Sequence, residues 1–179
     1  MIILGIDPGT TIMGYGLIKK EKKEPELITM GVIELSKIKD HYRRLEQIFS
    51  RVSQIIESYE PAEIALEAPF YGKNVQSMLK LGRAQGVAMA AGLRHSLPIF
   101  EYAPRKIKQA ITGNGNASKE QVAYLLQQMF QIEQMPEKMD ASDGLAAAVC
   151  HFYNNKITGS GQKYTSWKEF INKNPDRKK

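Results

Sequence analysis

The stretch Ile2-Ile3-Leu4-Gly5-Ile6-Asp7-Pro8-Gly9 decides the fold, because an apolar run ends there in an acid and a turn. A continuous apolar run of this length is typical of a buried strand, and the Pro-Gly pair breaks it sharply. Residues 12–18 then predict a second strand. We therefore expect residues 1–20 to form a β-hairpin with Asp7 at its turn.

The hydropathy pattern beyond the hairpin alternates between strands and helices. A long amphipathic helix is predicted between Tyr42 and Tyr59, because apolar residues recur there at spacings of three and one until Pro61. Ser118 and Gln121 form a capping box that predicts the start of a later helix. The remaining predicted elements are strands at 27–35, 63–67 and 98–102 and helices at 74–95, 104–111 and 137–153.

This order of elements predicts an α/β fold with a five-stranded mixed sheet. The sheet should be antiparallel among its first three strands and parallel where helices cross over, with helices on both faces. We expect one folded domain at residues 1–154, followed by a basic tail at 155–179 whose order the sequence leaves open.

Composition places the chain among ordinary globular proteins. Its 179 residues are 42% apolar and 25% charged, and a chain of this length supports a core without disulfides or metal staples. The single cysteine, Cys150, excludes an internal disulfide and indicates a core residue in a reducing compartment. Because the sequence contains no run of 18 apolar residues, we expect a cytoplasmic protein with no membrane partner.

The net charge of +6 is unevenly distributed along the chain. Residues 68–119 carry +7, between acidic stretches of −2 over 1–67 and −4 over 120–154, and the tail carries +5. This segment holds eight basic residues and only one acidic residue, and the basic residues repel each other unless a partner neutralises them. The central segment therefore predicts an anion-binding surface. For the tail, a solvated charged surface is an equally good interpretation.

Four acidic residues stand at positions where a carboxylate is costly unless it has a function. Asp7 and Glu67 each end a predicted buried strand, and Asp140 and Asp143 lie three apart on one face of the last predicted helix. Compensation of the helix dipole would explain the two helical acids but neither of the strand acids. We therefore expect all four to converge at one site.

Converging carboxylates raise one another's pKa and are stable chiefly with cations between them. Oxygen ligands without His or Cys select Mg²⁺, with Mn²⁺ as a substitute, over Zn²⁺. Carboxylates beside a basic surface suit a two-metal phosphodiesterase, in which one ion activates the attacking water and the other stabilises the leaving oxygen. His151 lies about 16 Å along the last helix from Asp140, so it cannot share this site and is expected to be a structural or a surface residue.

Taken in order, the motifs of this chain resemble the RuvC family of bacterial Holliday junction resolvases over about residues 1–153. The matching motifs are Ile3 to Thr10, Glu67 with Phe70, Lys73-Asn74, Leu81-Gly82, Phe100 to Pro104 and Asp140 to Ala146. The resemblance implies an RNase H-like fold and a homodimer that nicks four-way DNA junctions symmetrically with Mg²⁺, two ions per active site. It also implies the branch-migration proteins RuvA and RuvB as partners, in DNA recombination and repair.

The resemblance implies roles for individual residues. Asp7, Glu67, Asp140 and Asp143 match the family's catalytic metal-binding acids, and Phe70 matches an aromatic residue that stacks against a base near the crossover. The candidate DNA-binding residues are Phe70, Lys73, Asn74, Arg83, Lys108 and Lys119.

The predicted helix at 74–95 has two features of its own. Arg83 and Gln85 are exchanged relative to the order familiar in the family, and two residues turn a helix by about 200°, so the DNA contact expected from position 85 no longer follows. Gly82, Gly86 and Ala90 recur every four residues, which is consistent with close packing either on the chain's own sheet or against a second subunit. Two symmetric nicks need two active sites, so a dimer is expected in either case.

Two other functions stay open at this point. The segment from Asp7 to Thr11 also resembles the phosphate hairpin of sugar kinases and actin-like ATPases, although a second domain and a later Gly-rich phosphate loop are not evident. The other alternative is a junction-binding module without catalysis. Such a module predicts the loss of some acids, whereas all four are present.

Overall fold

The computed structural model describes residues 1–21, 24–69 and 74–159, with side chains described as far as Asn154. Its elements are β1 (Ile2–Asp7), β2 (Ile12–Lys19), β3 (Glu26–Glu34), α1 (His41–Tyr59), β4 (Glu63–Glu67), α2 (Val75–Arg94), β5 (Ile99–Tyr102), α3 (Pro104–Thr112), α4 (Lys119–Phe130) and α5 (Asp140–Gly159). Phe70, Lys73 and the predicted tail beyond Gly159 lie outside the described residues. No helix within the described ranges combines the length and the hydropathy that a bilayer span requires.

All five strands form one mixed sheet in the order β3-β2-β1-β4-β5. β1 pairs antiparallel with β2, with Asp7 opposite Gly14, which is the predicted hairpin. β3 extends this antiparallel part, whereas β4 runs parallel to β1 and β5 runs parallel to β4. The prediction of an α/β fold with a five-stranded mixed sheet is confirmed.

Two hydrophobic cores cover the two faces of the sheet. Leu4 and Leu66 belong to the core on the side of α1 and α2, whereas their neighbours Ile3 and Ala65 belong to the core on the side of α3, α4 and α5. Because side chains alternate along a strand, the same apolar runs supply both cores. Helices therefore lie on both faces, as predicted.

The N-terminal half of α5 lies directly on the β1–β2 hairpin, because glycines remove the side chains between them. A Cβ atom at Gly14 would lie 1.7 Å from the backbone oxygen of Asp140, and one at Gly5 would lie 2.2 Å from that of Gly144. Atoms cannot approach so closely, so only glycine fits there. The hairpin thereby sets where the first turn of α5 lies, and with it the two helical acids.

The bounds of α5 differ from the predicted 137–153. The helix begins at Asp140, because its first i→i−4 bond runs from the Asp143 N–H to the Met139 carbonyl and residues 137–139 lie before it as a bend and a turn. It continues to Gly159, past the predicted end. Asp140 and Asp143 thus lie in the first turn of α5 rather than one turn inside it, and both also offset the positive end of the helix dipole.

Candidate active site

The predicted acids come together where β1, β4 and α5 meet. Asp7 and Glu67 are the last residues of β1 and β4, which are parallel neighbours, so both acids lie at the same edge of the sheet. Asp143 reaches this edge from the first turn of α5 and is only 9% exposed. Asp140 lies on the same turn, close enough for its charge to act on Asp7.

Burial has the largest influence on the pKa values of the two acids that end strands, Asp7 and Glu67. Burial first, and then the negative charges of Glu67 and Asp143, raise the pKa of Asp7 to about 8. Burial and, after it, the charge of Asp143 raise the pKa of Glu67 to about 7. Near neutral pH the cluster therefore favours a bound proton or another cation, because its carboxylates repel one another.

Lys119 places a positive charge against this acidic cluster. Its Nζ donates to Oδ2 of Asp143 at 2.5 Å. Burial raises the pKa of Asp143, and the bond to Lys119 opposes that increase. Burial would lower the pKa of Lys119, but the contact with Asp143 outweighs it and the net shift is upward. Lys119 is thus an internal cation that offsets part of the repulsion among the acids.

The acids lie between two recesses of opposite character. The first is a narrow cleft on the side of α3 and α4, and it brings Lys108 and Lys119 to Glu67 and Asp143. The second is a recess of about 200 Å³, lined by Asp7, Pro8, Glu67, Ala68, Pro69 and Leu81. A cationic wall on one side and a largely apolar wall on the other suit a ligand that carries both phosphates and bases.

Arg44, which the sequence analysis did not single out, supports the turn that follows Asp7. Its Nε donates to the carbonyl oxygen of Ile38 at 2.5 Å, and its Nη1 donates to that of Thr10 at 3.0 Å. Both acceptors are backbone atoms, and Thr10 is 34 residues away along the chain. The sequence therefore held no signal for this role, since any residue type supplies a carbonyl.

The other predicted DNA contacts within the described residues lie on α2. Asn74 caps this helix, with its Oδ1 accepting the Ser77 N–H at 3.1 Å, and Arg83 is exposed on it. Gln85 is buried and donates to Oε1 of Glu101 at 2.7 Å. The side chain at position 85 is therefore hydrogen-bonded inside the fold.

His151 and Cys150 lie away from the acids. Both are fully buried, and Cys150 packs in the core as predicted. The Nδ1 atom of His151 lies 2.6 Å from the Tyr102 hydroxyl, and its Nε2 lies 2.8 Å from Oε2 of Glu63. About three turns of α5 separate His151 from Asp140, so it lies apart from the acids as predicted, and of the two expected placements it has the buried one.

The four acids fit a hard divalent cation by their chemistry. They offer only oxygen donors, which suit Mg²⁺ or Mn²⁺, and the raised pKa values of Asp7 and Glu67 show that the cluster favours added positive charge. In the part of the chain that the structure describes, no three acidic, histidine or cysteine side chains already enclose a common position for an ion. A bound cation would therefore draw the carboxylates together in competition with Lys119.

Comparison with known proteins gives a family for this arrangement. A family model described as crossover junction endodeoxyribonuclease RuvC matches residues 3–151. RuvC of Christiangramia forsetii is 64% identical over 98% of this chain and 92% of its own length, and that of Bacteroides fragilis is 63% identical over 99% and 96%.

A solved structure agrees with the sequence relatives. Thermus thermophilus RuvC in complex with a Holliday junction substrate superposes with a TM-score of 0.82 at 28% identity, covering 88% of this chain and 96% of that one. The RNase H-like fold expected from the resemblance is thereby confirmed. The chain belongs to the RuvC family of crossover junction endodeoxyribonucleases.

Proposed function

We propose that the chain is a Mg²⁺-dependent endonuclease that resolves four-way DNA junctions by paired symmetric nicks in homologous recombination and DNA repair. The observation that carries the proposal is one cleft in which Glu67 and Asp143 face Lys108 and Lys119, with Asp7 coupled to the same charges. Carboxylates for metal ions beside lysines for phosphates are the requirements of phosphodiester hydrolysis. The Thermus thermophilus relative, solved with a Holliday junction substrate, supports the choice of substrate.

The acids would hold two Mg²⁺ ions, for which Mn²⁺ can substitute. When bound, such a pair lowers the pKa of the attacking water and stabilises the leaving oxygen. Asp7 and Glu67 supply ligand oxygens from the ends of two paired strands, and Asp140 and Asp143 supply them from α5. Because the ligands come from separate elements, the placement of α5 on the sheet decides the geometry of the site.

Lys108 and Lys119 would bind phosphates beside the scissile bond. The side chain of Lys119 is 58% exposed even while it contacts Asp143, so it can turn towards a ligand without any change in α4. Neutralisation of Asp143 by a cation would release the ammonium group for this purpose. The same residue thus stabilises the acids before catalysis and would contact DNA during it.

We assign the remaining DNA contacts to α2 and the residues before it. Phe70 would stack on an unpaired base at the crossover, with Lys73, Asn74 and Arg83 on neighbouring phosphates and bases. The recess that Leu81 shares with the strand acids supports this assignment, because it shows that α2 passes beside the site.

The proposal includes a homodimer. On α2, Val75, Leu79 and Leu93 are 68%, 52% and 63% exposed, which is unusual for three apolar residues of one helix. Among the described residues, a Cβ atom at Gly82 or Gly86 would meet nothing within 4 Å, so these glycines do not pack on the chain's own sheet. Of the two interpretations of the small-residue spacing, a second subunit is therefore the one that the structure supports. Two subunits supply the two sites that paired nicks require.

Family membership is the basis for the remaining assignments. We propose RuvA and RuvB as partner proteins and the cytoplasm as the compartment. We also propose that residues 1–154 form the nuclease domain and that residues 155–179 form a basic tail.

The two alternative functions are less well supported. The family match over residues 3–151 favours a nuclease over a sugar-kinase-like or actin-like ATPase. The mutual repulsion of the buried acids favours catalysis over binding alone, since a module that only bound junctions would gain nothing from keeping them.

Cleavage of a synthetic four-way junction by wild type, Asp7→Asn and Glu137→Gln tests this proposal. Glu137 is an exposed acid just before α5 and serves as the matched control. Wild type and Glu137→Gln should cleave with Mg²⁺ and not with a chelator, whereas Asp7→Asn should bind the junction and leave it intact. Equal cleavage by Asp7→Asn and wild type would overturn the proposal.

A further inference from the structure

Away from the acids, His151 of α5 takes part in a row of hydrogen-bonded side chains that the proposed mechanism does not use. His151 joins the Tyr102 hydroxyl at 2.6 Å to the Glu63 carboxylate at 2.8 Å, and the centroid of the Phe100 ring lies 4.3 Å from that of the imidazole. With the proton on Nε2, both contacts are satisfied, since the tyrosine O–H donates to Nδ1 and Nε2–H donates to the carboxylate. Burial raises the pKa of Tyr102 to about 12, so its hydroxyl keeps the proton that it donates.

Two of these hydrogen-bonded residues belong to the same elements as proposed metal ligands, and the third lies on the strand that pairs with Glu67. Glu63 is the first residue of β4, and Glu67 is the last. Tyr102 is the last residue of β5 and lies opposite Glu67 in the parallel ladder. His151 and Asp143 both lie on α5. The Tyr102–His151–Glu63 chain therefore ties the helix that carries Asp143 to the two strands that position Glu67.

Close backbone contacts place α5 on the β1–β2 hairpin. Gly144 and Ala148 approach Gly5, and Leu145 approaches Gly16, so the N-terminal half of the helix fits sterically against β1 and β2. The Tyr102–His151–Glu63 hydrogen bonds instead join the helix to β4 and β5. Because hydrogen bonds weaken steeply with distance and angle, they add a directional constraint to the steric fit against the hairpin.

We propose that Tyr102, His151 and Glu63 form a positioning clamp that holds α5 where Asp140 and Asp143 can share metal ions with Glu67. The inference rests on the proposed function, because it assigns the clamp to the assembly of that metal site. All three are positioning residues, since they act through the acids. Loss of the clamp should weaken metal binding, because the cation would then have to fix the helix position itself.

The test compares Tyr102→Phe with Tyr153→Phe. The first variant removes one oxygen from the clamp, and the second removes a hydroxyl of α5 that contacts Sδ of Met129 at 3.9 Å. Two Mg²⁺ titrations are recorded for each full-length protein, one following the rise in melting temperature and one following junction cleavage.

In Tyr102→Phe, the Mg²⁺ concentration that gives half of the rise in melting temperature, or half of the cleavage rate, should be about fivefold to tenfold higher than in wild type. A change of that size corresponds to the loss of one hydrogen bond. Its rate at saturating Mg²⁺ and its junction affinity should stay within about twofold of wild type, since the acids themselves are unchanged. Tyr153→Phe should keep the wild-type Mg²⁺ midpoints. Unchanged midpoints in Tyr102→Phe would overturn the clamp, as would equal shifts in both variants.

A double variant separates the clamp from general loosening of the core. Because Tyr102→Phe and Glu63→Gln both act through His151, their combined shift in the Mg²⁺ midpoint should be smaller than the product of the single shifts. A combined shift equal to that product would contradict a shared clamp. A wild-type protein that neither responds to Mg²⁺ nor cleaves junctions would refute the proposed function instead, so the two failures are distinguishable.

Discussion

Replacement of Asp7 by asparagine should stabilise the metal-free protein while it abolishes cleavage. Burial and the neighbouring acids raise the pKa of Asp7 from 3.8 to about 8. Below pH 3.8 the Asp7 carboxyl is protonated in both the folded and the unfolded state, so it does not change the free energy of unfolding. As the pH rises towards 8, the unfolded state ionises and the folded state keeps its proton, so the free energy of unfolding falls. Asparagine does not ionise and escapes this loss.

The size of the effect follows from the pKa difference. Between pH 3.8 and pH 7 the loss in the free energy of unfolding approaches about 4 kcal/mol, because each pH unit contributes about 1.36 kcal/mol. Glu67 shares part of this cost because the two acids are coupled. A buried asparagine amide also costs on the order of 1–2 kcal/mol where its hydrogen bonds are incomplete. A net gain of about 2 kcal/mol remains, which for a chain of this size raises the melting temperature by roughly 4–8 °C.

The assay is thermal unfolding of wild type, Asp7→Asn and Glu137→Gln at pH 5 and pH 8, with a chelator and then with Mg²⁺. Asp7→Asn should melt above wild type by a margin that grows from pH 5 to pH 8, and Glu137→Gln should follow wild type. Mg²⁺ should raise the melting temperature of wild type more than that of Asp7→Asn, because the variant has lost a ligand. An Asp7→Asn protein that melts at or below wild type at pH 8 would refute the electrostatic reasoning.

Three further perturbations test other parts of the molecule. Gly14→Ala should lower the free energy of unfolding by at least about 1–3 kcal/mol, because its Cβ would meet the Asp140 backbone; a melting curve equal to that of wild type would contradict the close packing of α5. Lys108→Ala should reduce the slope of log affinity for junction DNA against log salt by about one unit, and an unchanged slope would exclude a phosphate contact. Phe70→Ala should reduce junction cleavage with little change in melting temperature, whereas a loss of about 3–5 kcal/mol in stability would identify a core residue instead.

The fold could be predicted from the sequence because its signals are local. The run before Asp7, the Pro61 stop and the capping box at Ser118 each act within a few residues, and the structure places an element boundary at or beside each of them. The beginning of α5 was wrong by three residues, since residues 137–139 suit a helix but form the turn that precedes it. The first helical bond runs from the Asp143 N–H to the Met139 carbonyl, and composition does not show where that bond begins.

The candidate site divides in the same way. The acids could be recognised because a carboxylate at the end of a buried strand is rare, as at Asp7 and Glu67, and because all four acids fit a known order of motifs. The sequence did not reveal the backbone support from Arg44 or the hydrogen bonds around His151, because their partners lie far away along the chain. The buried state of Gln85 follows only from its contact with Glu101 across α2 and β5.

The most direct test of the central claim is incubation of the purified wild-type protein with a mobile four-way junction and with a linear duplex of the same sequence, with Mg²⁺ and with a chelator. The account predicts paired nicks at symmetric positions that DNA ligase can seal, on the junction alone and only with Mg²⁺. Cleavage that persists with the chelator, or that cuts the linear duplex equally well, would contradict it.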